Sequence, residues 1–126
     1  MPRPLSLAAL SPLVPLLASA LLATAASAAP VTGARIIAAD QEPQNWLTHG
    51  RTYGEQRYSP LRQVNDGNVS QLGLAWSYAT HTTRGLQATP LVIDGRMYAT
   101  GVWSVVYALD ARTGKELWTY DPQVPR

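Results

Sequence analysis

The stretch Ala108-Leu109-Asp110-Ala111-Arg112-Thr113-Gly114-Lys115-Glu116-Leu117-Trp118 decides the fold. An apolar run, Val105 to Leu109, stops at Asp110. Gly114 then supplies a position that takes positive φ without steric cost. Glu116 to Tyr120 resumes an extended pattern. Asp and Thr side chains bond their own neighbouring backbone and so hold a tight turn. The reading is strand, tight turn, strand, ending at Trp118, which needs a large apolar surface to lie against. For the turn alone, a plain hairpin in a plain β protein competes with any more specific reading.

A repeat extends the argument. Trp76-Ser77-Tyr78 recurs as Trp118-Thr119-Tyr120, a spacing of 42 residues. Four strand-like segments lie between the two Trp residues, and the interval has the size and strand count of one propeller blade. Chance similarity of three positions is the competing explanation. The segments Leu91-Val92-Ile93 and Val105 to Leu109 are apolar without alternation. A strand with one wet face alternates, so these runs imply a sheet covered on both faces, as between neighbouring blades.

Taken in order, residues 29 to about 42 read as an unstructured leader. Trp46, Tyr53 and Tyr58, interleaved with Gly50, Arg51, Gly54 and Arg57, read as irregular loop with one short strand, its aromatics packed. Asn65-Asp66-Gly67-Asn68 is a turn cluster. A helical turn follows over Asn68 to Leu72, with Asn68 as its cap. Leu74 to Tyr78 is strand-like and Ala79 to Gly85 is polar loop. Leu86 to Ile93 is extended, with Pro90 marking a strand start or edge. Asp94-Gly95 signals a hairpin. Arg96 to Thr100 is its return strand, Gly101 a break, and Ser104 to Leu109 the next strand.

At the N-terminus, Arg3 is the sole charge before Arg35, and no acid precedes Asp40. Leu5 to Ala23 is dominated by Leu and Ala, and Ala26-Ser27-Ala28 is a small-x-small site. This is the layout of a secretory signal peptide cleaved after Ala28, which implies export to the periplasm. A membrane anchor competes, but Pro12 and Pro15 interrupt a regular spanning helix, so no stable anchor is expected. Ten Lys and Arg against eight Asp and Glu give a formal net charge of +2 without a long basic run, and nucleic acid is not a partner on this ground. Cysteine is absent, which excludes disulfides, thiolate metal sites and an acylated N-terminal Cys in this stretch. No P-loop, calcium loop or dinucleotide fingerprint occurs. His49 and His81 are read as surface or loop residues.

These residues resemble a known family. Ala108, Asp110, Thr113, Gly114, Lys115 and Trp118 are similar to the tryptophan-docking motif of the eight-bladed propellers of pyrroloquinoline-quinone (PQQ) dehydrogenases. In that family the docking Trp packs against the turn of the adjacent blade. Trp76 resembles the docking Trp of the preceding strand, its own motif degenerate because Gln71 and Leu72 replace Thr-Gly. Gly50 to Tyr53, Gln56 to Pro60, Arg84-Gly85-Leu86, Ala88-Thr89-Pro90 and Trp103 to Asp110 are similar to the soluble alcohol dehydrogenase branch. The resemblance implies an all-β fold: an N-terminal segment and about one four-stranded blade of an eight-bladed β-propeller. Residues 1–28 are then a signal peptide, 29–45 a flexible leader and 46–126 the start of the propeller domain.

The resemblance also implies a function, the N-terminal part of a periplasmic PQQ-dependent alcohol dehydrogenase. Its partners are a small alcohol substrate and an electron acceptor such as a cytochrome c. PQQ and calcium are the implied cofactors. The vicinal cysteine pair, the calcium ligands and the catalytic Asp of the family fall beyond Arg126. One cofactor-binding residue is implied here, Gln87, where the family usually has a Glu that contacts PQQ. A polar residue at a strand start is the bland reading of Gln87. A non-catalytic propeller scaffold and an inactive gene fragment are the alternatives to the enzyme.

Overall fold

The computed structural model describes residues 29–125. The expected signal peptide, with its cleavage after Ala28, lies outside the described residues. The centre of the molecule is a four-stranded antiparallel sheet in the order β1-β2-β3-β4, where β1 is Leu91–Ile93, β2 Arg96–Thr100, β3 Val106–Asp110 and β4 Glu116–Tyr120. This is the strand layout of one propeller blade.

Each connection follows from its residues. Between β1 and β2 the chain reverses over Asp94 and Gly95, at φ 50 and 77, with Ile93 opposite Arg96. Two successive positive φ values match the right-handed twist of the flanking strands, which is why Asp-Gly closes a two-residue hairpin. Between β3 and β4, Gly114 N–H donates to the Asp110 carbonyl at 2.9 Å, and Asp110 N–H to that of Lys115 at 2.8 Å. The register slips between Ala108 and Leu109, so Leu109 faces Glu116 while Ala108 faces Trp118.

The core lies on one side of this sheet. Val105, Tyr107 and Leu109 are buried, and Trp76, Tyr78 and Met97 pack on them. Tyr78 meets Tyr107 edge to face at 5.5 Å between ring centres, a geometry that adds about 0.5–1.5 kcal/mol beyond the area buried. The opposite side carries the cross-strand line Tyr98, Ala108 and Trp118. There Trp118 and Tyr120 are 46% and 59% exposed. Apolar sequence therefore corresponds to burial on both faces at β3, whereas every residue of β4 is exposed.

Four sequence expectations are corrected. Leu74 to Tyr78 is not a strand. It crosses the core face of the sheet without a ladder partner among the described residues, because Trp76 and Tyr78 turn inward onto Tyr107 and Leu109. Residues 29–45 are not a featureless leader. Gly33–Ile37 form a short helix, α1, capped by the Thr32 hydroxyl, which accepts from Arg35 N–H at 3.2 Å. Ala39, Asn45 and Leu47 are buried. Asn68 precedes the 3₁₀ turn Val69–Gln71 without capping it. Its side chain instead reaches back, accepting from Asn65 N–H at 2.8 Å and donating to the Gln63 carbonyl at 2.7 Å. Tyr53 and Tyr58, expected to pack, are 64% and 65% exposed.

An ion cluster fastens the N-terminal segment to the sheet. Arg35 pairs with Glu42 at 2.7 Å and with Asp94 at 2.5 Å in the β1–β2 turn. Asn45 accepts from Asp94 N–H at 3.0 Å. Trp46 and Val92 exchange backbone bonds of 2.8 and 3.0 Å, a single bridge on the free edge of β1. The Arg35 guanidinium holds the carboxyls of Glu42 and Asp94 below their ordinary range.

Candidate functional site

The turn between β3 and β4 bonds its polar groups internally. One Asp110 carboxylate oxygen accepts from Arg112 N–H at 3.1 Å, Thr113 N–H at 2.8 Å and the Thr113 hydroxyl at 2.7 Å. The Thr113 bonds, before the other contributions, hold the Asp110 carboxyl below its usual value. Trp76 docks on this turn. Its indole N–H donates to the Ala111 carbonyl at 3.2 Å, and its ring lies over Gly114. A Cβ at Gly114 would sit 2.5 Å from the Trp76 ring, at a φ of +70. Glycine is required there twice, by its conformation and by the closeness of the indole. The docking partner that Trp76 resembles in sequence is therefore matched by contact.

The loop that precedes β1 is built differently. Residues 83–87 are exposed. Arg84 N–H donates to the Thr82 hydroxyl at 3.1 Å, which fixes the loop's entry. The Arg84 guanidinium stands 4.8 Å from the centre of the Trp103 ring. Gln87, three residues on, is exposed, and its carboxamide bonds to no described residue. Gln87 thus occupies the mouth of β1 with its N–H₂ free to donate.

Trp103 comes from the β2–β3 connection, a 3₁₀ turn over Val102–Ser104. Trp103 has φ 59 and ψ 25, and Ser104 has φ 60. Left-handed backbone at a bulky residue costs on the order of 1–3 kcal/mol and persists only where its surroundings impose it. Here Gly101 N–H donates to the Val105 carbonyl at 2.7 Å and closes the turn. A Cβ at Gly101 would lie 2.8 Å from the Tyr107 ring, so the turn is pressed onto the core.

Beside it lies a cavity of about 400 Å³ walled by Tyr78, His81, Trp103, Tyr107 and Glu116 among others. Tyr78 O–H donates to Glu116 there, which raises the phenol pKa. Gln87 is not in its walls. Among the described residues no group of three His, Cys, Asp or Glu side chains could hold a metal ion, and no helix is long and apolar enough to cross a membrane.

Sequence reasoning singled out Gln87 and missed the stacking of Arg84 on Trp103. Both residues were visible in the sequence. Trp103 sits in the left-handed turn at 103–104, where neither residue is a glycine that would announce it.

Comparison with known proteins agrees with this geometry. Residues 46–126 match the family described as PQQ: glucose/ethanol/alcohol dehydrogenase, β-propeller domain. The chain is similar to quinohemoprotein alcohol dehydrogenase ADH-IIG of Pseudomonas putida, 67% identical over 96 residues, which are 76% of this chain and 13% of that protein. It is also similar to the dehydrogenase subunit of the quinone-linked alcohol dehydrogenase of Komagataeibacter europaeus, 58% identical over 106 residues, 84% of this chain and 14% of that one. The solved structure of ADHIIG from P. putida superimposes with a TM-score of 0.74, covering 76% of this chain and 14% of that chain. That of the quinohemoprotein alcohol dehydrogenase from Comamonas testosteroni gives 0.70 at 55% identity, covering 75% and 14%. The chain spans 12–15% of the length of the curated relatives it matches. With a four-stranded blade, a tryptophan docked on its Asp-x-x-Thr-Gly turn and this match over residues 46–126, the chain belongs to the PQQ family of glucose/ethanol/alcohol dehydrogenase β-propellers.

Proposed function

We propose that this chain is the N-terminal part of a periplasmic PQQ-dependent alcohol dehydrogenase, exported with removal of residues 1–28. In this reading residues 29–45 lead into the propeller, which begins at Trp46. The observation that carries it is the 67% identity to a quinohemoprotein alcohol dehydrogenase. The family match over residues 46–126 includes the docking turn and the loop that bears Gln87.

The residues present fit PQQ by the chemistry of their donors. PQQ carries three carboxylates, so its surroundings must donate hydrogen bonds or bear positive charge. Gln87 offers a free carboxamide N–H₂ and no charge. A Glu in its place would donate only when protonated and would repel the cofactor as an anion. Gln is nearly isosteric, so it keeps the contact and removes one titrating charge from the site. When bound, PQQ supplies the acceptor for the hydride of the alcohol. Gln87 takes no part in proton movement; it binds and orients. Calcium, which such chemistry uses to polarise an oxygen, would be held by residues other than the described ones. A cytochrome c is the electron acceptor in this reading, and a small alcohol the substrate.

Supplying the apo-form of the complete protein with PQQ and calcium tests the proposal. The expected result is PQQ uptake, followed by reduction of an artificial electron acceptor on addition of a primary alcohol. A folded protein that takes up no PQQ would instead be a non-catalytic propeller scaffold, and the proposal would fail. N-terminal sequencing of the exported protein should begin at Ala29; a product retaining Met1 contradicts the export reading.

A further inference from the structure

We infer that Arg84 is a second group for the carboxylates of the cofactor, aimed by the face of Trp103; this rests on the function proposed above. Three observations meet at this loop.

The first is charge. Arg35 is spent on Glu42 and Asp94, and Arg51 on Asp40. Arg84 has no carboxylate partner among the described residues. An aromatic face orients a guanidinium without neutralising it, so the N–H groups around its rim stay available. The second is position. Arg84 and Gln87 share one exposed loop at the mouth of β1, and both present donors only in excess of what the protein uses. Gln87 can bond a carboxylate but cannot offset its charge. A cation in the same loop supplies what Gln87 lacks. The third is the backbone under Trp103. Two successive left-handed residues without glycine, closed by the Gly101–Val105 bond, hold the indole where it is. A strained turn that presents a platform to a single arginine is the kind of outlier from which function is argued.

The side chain also has the right chemistry for the task. A planar guanidinium can lie flat on an indole and still turn two parallel N–H groups to a carboxylate; the ammonium of a Lys can supply the charge but not that geometry. Arg84 is thus a cofactor-contacting group, and Trp103 is a positioning residue that acts through it.

The test is titration of the complete apo-protein with PQQ, calcium present, at low and high salt. The parent is compared with R84Q, R84K, W103L and the R84Q/W103L double variant. Thermal melting without PQQ verifies that each is folded. R84Q is expected to bind PQQ about 10- to 100-fold more weakly, the range for losing a hydrogen bond to a charged group, and with a shallower salt dependence. R84K should keep the parent's salt dependence and recover part of the affinity. W103L should lose less than R84Q, and the double variant no more than R84Q alone, because both act through one contact. If R84Q binds as tightly as the parent with the same salt dependence, Arg84 is not a cofactor group and the inference is wrong. If the parent itself takes up no PQQ, the functional reading beneath it fails as well, and the two failures are thereby told apart.

Discussion

The β3–β4 turn joins two strands of the sheet and the loop before β1 leads into it, yet the two are built on opposite principles. At the turn, one Asp110 oxygen takes three hydrogen bonds, Gly114 closes onto the Asp110 carbonyl, and the Trp76 indole covers the result. Its polar groups are used internally. In the loop, the Gln87 carboxamide is unbonded and the Arg84 guanidinium meets only an aromatic face. Its donors are left over. A buried polar group without a partner is costly, so a fold satisfies what it encloses. An exposed donor that the fold does not use is free for a ligand. The difference separates the part of the chain that sets stability from the part proposed to set cofactor affinity.

The largest effect is expected at Gly114. Gly114→Val must hold a β-branched residue at φ +70 and drive its Cβ into the Trp76 ring. It should lower the unfolding free energy of the protein that carries it by about 2–5 kcal/mol, read from denaturant melts. The two causes separate in a Trp76→Ala background. Gly114→Ala meets both the clash and the strained φ in the parent, whereas with Trp76 removed it should cost only the conformational part, about 1–2 kcal/mol. An equal cost in both backgrounds would mean that the docked indole does not set the demand for glycine.

A smaller effect is expected in acid. Glu42, Asp94 and Asp110 all have carboxyls depressed in the folded state, the first two chiefly by Arg35 and the third by Thr113. The unfolded chain then binds protons at higher pH than the folded one. Their contribution is fully present above about pH 4.5, the ordinary value for Glu42. It is lost as pH falls through the depressed folded values. Arg35 is raised further from an already high value and stays charged throughout. Arg35→Leu should therefore flatten the loss of stability below pH 4.5, leaving the share of Asp110. Unchanged acid melting curves would show that the clasp is not coupled to folding.

The smallest effect on stability is expected at Gln87. It is exposed and unbonded, so Gln87→Ala should alter the unfolding free energy by less than about 0.5 kcal/mol. Gln87→Glu should likewise leave stability alone. It should make PQQ binding pH-dependent, weaker once the carboxyl ionises and near the parent value in acid.

The stability region was legible in the sequence and the binding region only partly so. Asp110, Thr113 and Gly114 announce the turn because each residue has a local reason to be there. Asp94-Gly95 announces its hairpin in the same way, and Trp76 could be matched to its docking role by its repeat with Trp118. Leu74 to Tyr78 was misread because two aromatics at alternate positions look alike in a strand and in a segment laid across a sheet; only the absent ladder partner distinguishes them. The order in residues 29–45 was hidden for a related reason. Arg35 and Asp94 lie 59 residues apart, and no local pattern reports a contact of that span. Gln87 was reachable through resemblance alone. The Arg84–Trp103 contact was not reachable, since it joins residues 19 positions apart and no local pattern reports the positive φ at residues 103 and 104.

The central claim is that stability and cofactor affinity reside in different loops. It is tested most directly by measuring PQQ affinity and PQQ-free unfolding together for Gln87→Ala in the complete protein. The account predicts an unfolding midpoint equal to the parent's and PQQ binding weaker by about 1–3 kcal/mol, the cost of leaving a polar partner unmatched. Binding as tight as the parent's at every pH would contradict it.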